Sequence, residues 1–362
     1  MSDDQNTTDD TGSAANQATQ PPRPGLLRSV AHHLAGDPGE FPVEGHLPSF
    51  EGATGWLNSE SLTPGGLRGR VVVVDFWTYT CINWLRTAPY VRAWDAKYRD
   101  VGLTAIGVHT PEFGFEQNVD NVVAQSHTFG VEYPIAIDSN YGVWEAFANH
   151  FWPAIYIADA EGRIRYHHFG EGEYAMTEMV MQQLLLDAGA HGFDPDLVSV
   201  EPKGFEVPAD WSTLRSPETY LGYGRSPGFA SPDHARFNEP RTYPEPSSLA
   251  LNEWAPSGTW TLAQYAAVVD EPGGRIAFRF HARDVNLVMG PPARGTSVPF
   301  RVLLDGQPPR GNHGFDVDDQ GNGTLAEQRL HQLIRQAGPV GERLFEIEFL
   351  DAGAEAYCFT FG

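Results

Sequence analysis

The hydrophobic pattern of the chain centres on residues 71–77, which begin with four consecutive valines and run through Asp75. A continuous apolar run of this length is typical of a β-strand buried on both faces. From residue 84 to residue 98 the apolar positions recur every three or four residues, which predicts a helix with one buried face. Pro89 falls within this helix and is expected to kink it. Cys81 therefore lies in the turn that leads from the strand into the helix.

Strand and helix patterns continue to alternate to about residue 190. The predicted strands are 103–108, 133–137, 152–158 and 162–167, the last two forming a hairpin, and the predicted helices are 115–129, 141–149 and 177–188. A short hairpin is also expected ahead of the first strand, between residues 47–50 and 56–58. Together these elements predict an α/β domain with a mixed, mostly parallel sheet over residues 38–191.

The pattern changes in the second half of the chain. Residues 192–216 are rich in Pro, Asp and Ser and show no sustained period, so we interpret them as a linker. Beyond them, apolar and polar residues alternate in short segments without a long helical pattern, most clearly in 275–280, 298–304, 344–349 and 357–361. Many short alternating strands predict an all-β sandwich of the jelly-roll or galactose-binding-like kind over residues 217–362.

Composition limits the possible partners. The formal net charge is −23 and the pI is near 4.8, which argues against nucleic acid or an anionic membrane as the partner, because both need clustered Lys and Arg. Residues 1–37 are polar, acidic and aperiodic, and predict a disordered tail that does not resemble a signal peptide. No apolar run approaches the ~20 residues of a membrane span. The expected location is cytoplasmic, unless this start site omits an export segment.

The chain contains two cysteines, Cys81 and Cys358, far apart in sequence. This number predicts neither a disulfide framework nor a cysteine-based zinc site. The acidic segment 316–322 lacks the glutamate that completes a calcium loop, so we predict no metal and no cofactor. A cysteine at a helix N-terminus is a candidate nucleophile, because unpaired N–H groups favour the thiolate and lower the thiol pKa. The alternative is a buried, inert thiol.

Four positions give the first domain its resemblance to thioredoxin-like proteins of the redoxin (AhpC/TSA-like) family. Asp75 stands six residues before Cys81, Pro89 stands eight residues after it, and Pro153 precedes a strand as the family's cis-proline does. The resemblance implies that Cys81 is the nucleophile and that Asp75 is a buried acid beside it. It also implies that Pro153 holds the backbone of the substrate.

The two halves together resemble the soluble end of DipZ-type cytochrome c biogenesis proteins, in which a redoxin domain precedes a carbohydrate-binding-like β-sandwich. The matching segments are 76–83, 107–112, 152–153, 169–172 and 217–220. Two features depart from that family. The membrane electron carrier is missing, and Trp84 occupies the position of the second cysteine of a Cys-x-x-Cys motif. The proteins of this family are extracytoplasmic.

Without a resolving thiol, Cys81 cannot release a mixed disulfide by internal exchange. Three mechanisms stay open: monothiol exchange with glutathione, peroxide reduction through a sulfenic acid, and covalent trapping of a partner. Each catalytic cycle needs an external thiol of the glutathione or thioredoxin type, with a disulfide or a peroxide as substrate. Thr78 matches the threonine that orients peroxide in peroxiredoxins, although Val74 stands where they have proline. Peroxide reduction would be an antioxidant function.

We predict Cys81, Asp75 and Thr78 as catalytic residues, and we predict contacts to substrate from Trp84, Trp152, Pro153, His109 and Glu112. Each assignment has a structural alternative. Asp75 is either a proton relay or a plain buried acid, Trp84 either covers the start of the helix or stacks on a ligand, and the loop residues His109 and Glu112 either contact substrate or only cap.

The alternative function is a catalytically silent redoxin fold that binds a glycan or a protein through the β-sandwich. Trp254, Trp260 and Tyr265 would then line a sugar site, whereas the competing interpretation places these aromatic residues in the core. Cys358 alternates with aromatic residues in the last predicted strand. It is interpreted as packed structure, with a resolving role across domains as the alternative.

Overall fold

The computed structural model describes residues 41–362, and the predicted disordered tail, 1–37, lies outside the described residues. The chain forms two compact units, and each unit is assembled from several sequence segments. The first contains the described residues up to Trp77, Tyr90–Thr110 and Glu132–Val198; the second contains Thr78–Pro89, Pro111–Val131 and Ser199–Gly362. The sequence-based boundaries, a domain over 38–191, a linker over 192–216 and a domain over 217–362, stay predictions.

A seven-stranded sheet forms the centre of the first unit. Its strands are β1 (Gly45–His46), β2 (Gly55–Leu57), β3 (Val71–Trp77), β4 (Leu103–His109), β5 (Ile135–Ile137), β6 (Ala154–Ala158) and β7 (Arg163–Phe169). The order across the sheet is β1-β7-β6-β3-β4-β5-β2. Every residue of β3 is buried, as the valine run predicts. Asp75 thus lies in a strand whose residues are all buried.

The direction of the strands differs from the prediction. Only β3–β4 and β4–β5 are parallel pairs, so the sheet is mixed but not mostly parallel. The reason is that β6 and β7 form a hairpin that enters the sheet antiparallel to β3. The hairpin predicted between residues 47–50 and 56–58 does not form. Instead, β1 pairs with β7 and β2 pairs with β5, at opposite edges of the sheet.

The described residues form four α-helices: α1 (Ile82–Tyr98), α2 (Val119–Thr128), α3 (Gly142–Ala146) and α4 (Tyr174–Asp187). Helix α1 continues through Pro89. Helix α2 begins after Asn118, whose side chain accepts the backbone N–H of Asp120 at 3.0 Å, a standard N-cap. Within residues 41–362, every helix is too short or too polar to traverse a lipid bilayer.

The second unit contains an all-β region of eleven strands, as the alternating pattern predicts. The strands are β8 (Thr219–Tyr220), β9 (Arg241–Tyr243), β10 (Trp254–Leu262), β11 (Ala267–Val269), β12 (Gly274–His281), β13 (Asp284–Gly290), β14 (Val298–Leu304), β15 (Asn322–Leu325), β16 (Arg329–Arg335), β17 (Glu342–Phe349) and β18 (Glu355–Phe361). All the pairings between these strands are antiparallel.

Strand β10 belongs to two layers. Its first half pairs with β12, and its second half pairs with β11 and β9. A strand that changes partners in this way joins the two sheets of a sandwich at a corner. Trp254 and Trp260 are fully buried in the core, whereas Tyr265 is 67% exposed. The two tryptophans are therefore core residues rather than parts of a sugar site.

Candidate functional site

Cys81 lies where the sequence predicts it, in the turn that follows β3 and immediately before α1. Its carbonyl accepts the backbone N–H of Leu85 at 3.0 Å, so the residue already takes part in the first helical turn. Its own N–H donates to the carbonyl of Thr78 at 3.2 Å. The backbone N–H groups of Asn83 and Trp84 donate to the sulfur. Cys81 as a whole residue is half-buried.

The electrostatic environment of Cys81 differs from the expectation for a helix start. Burial raises the pKa of the thiol well above its usual value, and the negative charges of Glu112 and Glu218 raise it further. The two backbone N–H groups lower the thiol pKa, but they do not outweigh these effects. The expectation of a lowered pKa, based on the helix N-terminus alone, is therefore wrong for this structure.

Glu116 holds the loop after β4 in place. Its carboxylate accepts the backbone N–H groups of Glu112 at 2.6 Å and Phe113 at 2.9 Å. It also accepts the hydroxyl of Thr80, from the turn that carries Cys81, at 2.7 Å. The sequence analysis missed this residue, although a Glu three positions after a loop residue at the start of a helical turn is a recognisable capping signal. Glu116 thereby couples the Glu112 loop to the Cys81 turn.

Glu112 is half-buried, and its side chain meets the second half of the chain. The Tyr220 hydroxyl donates to the Glu112 carboxylate in a short hydrogen bond, and it also lies 3.2 Å from Oε2 of Glu218. Burial, followed by the charge of Glu218, raises the pKa of Glu112 to about 8. The guanidinium of Arg225, 5.2 Å from the centre of the Tyr220 ring, opposes this shift. Tyr220 and Glu218 are site residues that the sequence analysis quoted only as the start of the β domain.

Thr78 and Trp84 are both inaccessible to solvent. Thr78 is buried and its side chain interacts with Glu116, whose pKa it lowers. Trp84 is 0% exposed and packs edge-to-face against Phe129, with ring centroids 5.8 Å apart. Trp84 therefore covers the start of the helix, and we do not retain it as a substrate contact.

Asp75 lies in the first unit and is fully buried within β3. The Tyr133 hydroxyl donates to its Oδ2 at 3.4 Å. The charge of Asp75 contributes, after burial, to raising the pKa of Tyr133 well above its usual value. A tyrosine that stays protonated in this way is a permanent hydrogen-bond donor to the carboxylate.

His109, Trp152 and Pro153 also belong to the first unit. His109 is buried against Trp77 in an edge-to-face contact of 4.8 Å, and burial lowers its pKa to about 3, so the imidazole is neutral near pH 7. Trp152 is half-buried, and its indole N–H donates to the carbonyl of Thr110 at 3.1 Å. The peptide bond between Trp152 and Pro153 is cis, as the family resemblance implies.

The predicted site residues thus fall into two groups. Cys81, Thr78, Trp84 and Glu112 are in the second unit; Asp75, His109, Trp152 and Pro153 are in the first. In residues 41–362, no group of three or more His, Cys, Asp or Glu side chains is arranged to hold a metal ion.

Cys358 is placed differently from Cys81. It is 2% exposed in the middle of β18, where it lies opposite Tyr220 of β8, and its thiol donates to the carbonyl of Phe359 at 3.4 Å. Burial and the charges of Glu218 and Glu112 raise its pKa well above the usual value. The interpretation as packed structure fits this environment.

Comparison with known proteins finds one matching family and several similar proteins. Residues 216–362 match the family described as Thioredoxin like C-terminal domain. Over 268 residues the chain is 39% identical to protein DipZ of Mycobacterium tuberculosis, a match that covers 73% of this chain and 37% of DipZ. It is 25% identical over 141 residues to the thiol-disulfide oxidoreductase YkuV of Bacillus subtilis, covering 39% of this chain and 95% of YkuV.

Among solved structures, a thioredoxin-like protein in its oxidized form is 26% identical, covering 40% of this chain and 97% of that protein, with a TM-score of 0.37. The chain spans 37% of the length of DipZ. The predicted fold class, an α/β fold followed by an all-β region, is confirmed by the helices and strands of the structure, and residues 216–362 match the thioredoxin-like C-terminal domain family. The chain is therefore similar to DipZ and to a thiol-disulfide oxidoreductase, and its residues 216–362 match a thioredoxin-like C-terminal domain.

Proposed function

We propose that this protein is a thioredoxin-like thiol oxidoreductase that works with the single active-site cysteine Cys81 by monothiol exchange. The observation that carries the proposal is the position of the sulfur. It lies at the start of α1, in a residue that is half-buried, and accepts hydrogen bonds from the N–H groups of Asn83 and Trp84. Such donors stabilise the thiolate that attacks a disulfide and the same sulfur when it becomes the leaving group.

The proposed cycle has two exchange steps. In the first, the Cys81 thiolate attacks one sulfur of a substrate disulfide, forming a Cys81–substrate disulfide and releasing the other half of the substrate as a thiolate. In the second, the thiolate of an external thiol attacks the substrate sulfur of that mixed disulfide and releases the Cys81 thiolate. One cycle releases one substrate thiolate and leaves the other half of the substrate in a mixed disulfide with the external thiol, and a second external thiol reduces that disulfide by the same exchange. Trp84 has no thiol, so the second step depends on the external partner.

The external thiol would be glutathione or a thioredoxin-type protein. We place the reaction in the cytoplasm, where both are kept reduced. We rank peroxide reduction, and with it an antioxidant function, second. The Thr78 side chain is buried, so it is not presented to a peroxide. Glu112 and the half-buried Trp152 are the predicted substrate contacts with access to solvent, and we retain both.

The test is formation and release of a mixed disulfide. The protein is incubated with cystamine, and the mass of the intact chain is measured before and after addition of glutathione. We expect one cysteamine adduct, located at Cys81 by peptide mapping and removed by glutathione. The variant Cys81→Ser should form no adduct, and Cys358→Ser should behave as the unmodified chain does. Absence of an adduct from the folded protein would contradict monothiol exchange.

The second candidate function is a redoxin fold without catalysis that binds a glycan or a protein through its all-β region. The raised pKa of Cys81 favours this candidate, because a thiol that stays protonated near pH 7 is a poor nucleophile. The cystamine experiment also distinguishes the two candidate functions. A binding module would form no adduct with cystamine, and Cys81→Ser would leave its binding unchanged.

A further inference from the structure

Tyr220 connects strand β8, in which it lies, to the loop that carries Glu112. It lies in β8, opposite Cys358 of β18, and its hydroxyl donates to the carboxylate of Glu112. Burial and the neighbouring carboxylates raise the pKa of Tyr220 well above its usual value. The hydroxyl therefore stays protonated and remains a donor at every pH at which the protein would be assayed.

We propose that Tyr220 is a positioning residue for the Cys81 reaction: through its hydrogen bond it holds Glu112 and favours the ionised carboxylate, and so controls the reactivity of the thiol. The inference rests on the proposed function of Cys81. It assigns a role to a residue from the all-β half of the chain, far in sequence from the cysteine turn.

The physical argument has three steps. A hydrogen bond from Tyr220 stabilises the charged form of Glu112 and lowers its pKa, against the larger effect of burial. Once ionised, Glu112 places a negative charge close enough to Cys81 to oppose formation of the thiolate. The reactivity of Cys81 therefore depends on the titration of Glu112, whose pKa is about 8. Removing the hydroxyl of Tyr220 should keep Glu112 neutral to higher pH and make Cys81 more reactive there.

Other charged groups face the same carboxyl group. Glu218 and Glu116 raise the pKa of Glu112, and Arg225 lowers it. Glu218 also raises the pKa of Cys81, as Glu112 does. The charges of Glu218 and Glu112 also raise the pKa of Cys358. None of these groups donates a hydrogen bond to Glu112 as Tyr220 does. The Tyr220 hydroxyl also lies 3.2 Å from Oε2 of Glu218, so Tyr220→Phe removes its contacts with both carboxylates while leaving the ring in place.

The experiment measures the rate of Cys81 alkylation by iodoacetamide from pH 6 to pH 10, with peptide mass spectrometry to separate Cys81 from Cys358. In the unmodified chain we expect the logarithm of the rate to rise with pH, to flatten near pH 8 as Glu112 ionises, and then to rise again. In Glu112→Gln the flattening should disappear, and the rate at pH 9 should be about tenfold higher. Below pH 7 the two proteins should react alike.

Tyr220→Phe should move the flattening to higher pH and raise the rate at pH 9 about threefold, again without effect below pH 7. In the double variant Glu112→Gln/Tyr220→Phe, the loss of Tyr220 should have a smaller effect than in the unmodified chain, because only its contact with Glu218 remains. Tyr357→Phe is the matched control, since it also removes a hydroxyl that donates to a carboxylate, that of Glu355. It should leave the profile unchanged.

A second variant, Arg225→Gln, tests the same mechanism while keeping the Tyr220 hydroxyl; it removes the guanidinium that lies 5.2 Å from the centre of the Tyr220 ring. It should shift the flattening in the same direction, by less, because Arg225 is exposed to solvent. The inference is overturned if Tyr220→Phe changes the rate by the same factor at every pH, as a loosened loop would, or if its effect is as large in Glu112→Gln as in the unmodified chain. These outcomes leave Cys81 reactive and the proposed function intact. A thiol inert in every variant overturns both.

Discussion

Cys81 and Cys358 share much of their electrostatic environment and differ in their backbone. Both thiols are affected by the charges of Glu112 and Glu218, and burial raises the pKa of both. Cys81 lies at a helix start, half-exposed, where two backbone N–H groups point at its sulfur. Cys358 lies in a strand, 2% exposed, with its thiol proton directed to the carbonyl of Phe359.

The comparison shows which feature separates a candidate nucleophile from a packed thiol. Nearby charge cannot do so here, because both cysteines are close to the same carboxylates. The difference comes from access to solvent and from donors at the helix terminus, and both follow from the secondary structure that carries each residue. The three predictions below are ordered from the largest expected effect to the smallest.

The strongest test compares the two thiols directly. In the folded protein at pH 8, we expect iodoacetamide to modify Cys81 more than about a hundredfold faster than Cys358, because Cys358 reacts only when β18 opens. Peptide mass spectrometry over a time course measures both rates in one sample. After unfolding in urea the two rates should become similar. Comparable alkylation rates of Cys81 and Cys358 in the folded state would contradict the distinction between the two thiols.

Replacing Trp84 by cysteine would give Cys81 the second thiol that it lacks. We expect Trp84→Cys to form a disulfide with Cys81 and to gain insulin-type disulfide reductase activity with a dithiol reductant. Because the indole is 0% exposed, the substitution leaves a cavity and should cost roughly 3–5 kcal/mol of folding free energy. Urea unfolding measures that cost.

Trp84→Ser is the matched control for this variant. It should lose similar stability and gain no reductase activity. If Trp84→Cys folds and its activity does not exceed that of Trp84→Ser, the two positions do not form a dithiol site.

The charge of the substrate should give the smallest effect. Glu112, Glu218 and the net charge of −23 favour a cationic disulfide over an anionic one. We expect Cys81 to react about tenfold faster with cystamine than with oxidised glutathione, after each rate is divided by that of free cysteine. The ratio should fall as the salt concentration rises. Glu112→Gln should reduce the ratio as well, and a ratio insensitive to both salt and Glu112 would contradict this selectivity.

Sequence reasoning succeeded where the signal is local. The apolar run of residues 71–77 identified the central strand, and the three-to-four residue spacing after it identified α1. The alternating segments in the second half of the chain identified its β-strands in the same way. These patterns depend on side-chain periods within a single element, which the sequence displays directly. The position of Cys81 at the helix start follows from two such neighbouring elements.

The features that became visible only in the tertiary structure depend on residues that are distant in sequence. Strand β1 pairs with β7 and β2 pairs with β5, each far away in the sequence, and no local pattern specifies these pairings. The hydrogen bond between Tyr220 and Glu112 joins residues 108 positions apart. The sequence by itself determined which thiol begins a helix. The fold decided how that thiol titrates, because burial and the approach of Glu112 and Glu218 depend on long-range packing, and their effect on the pKa exceeds that of the local helix terminus.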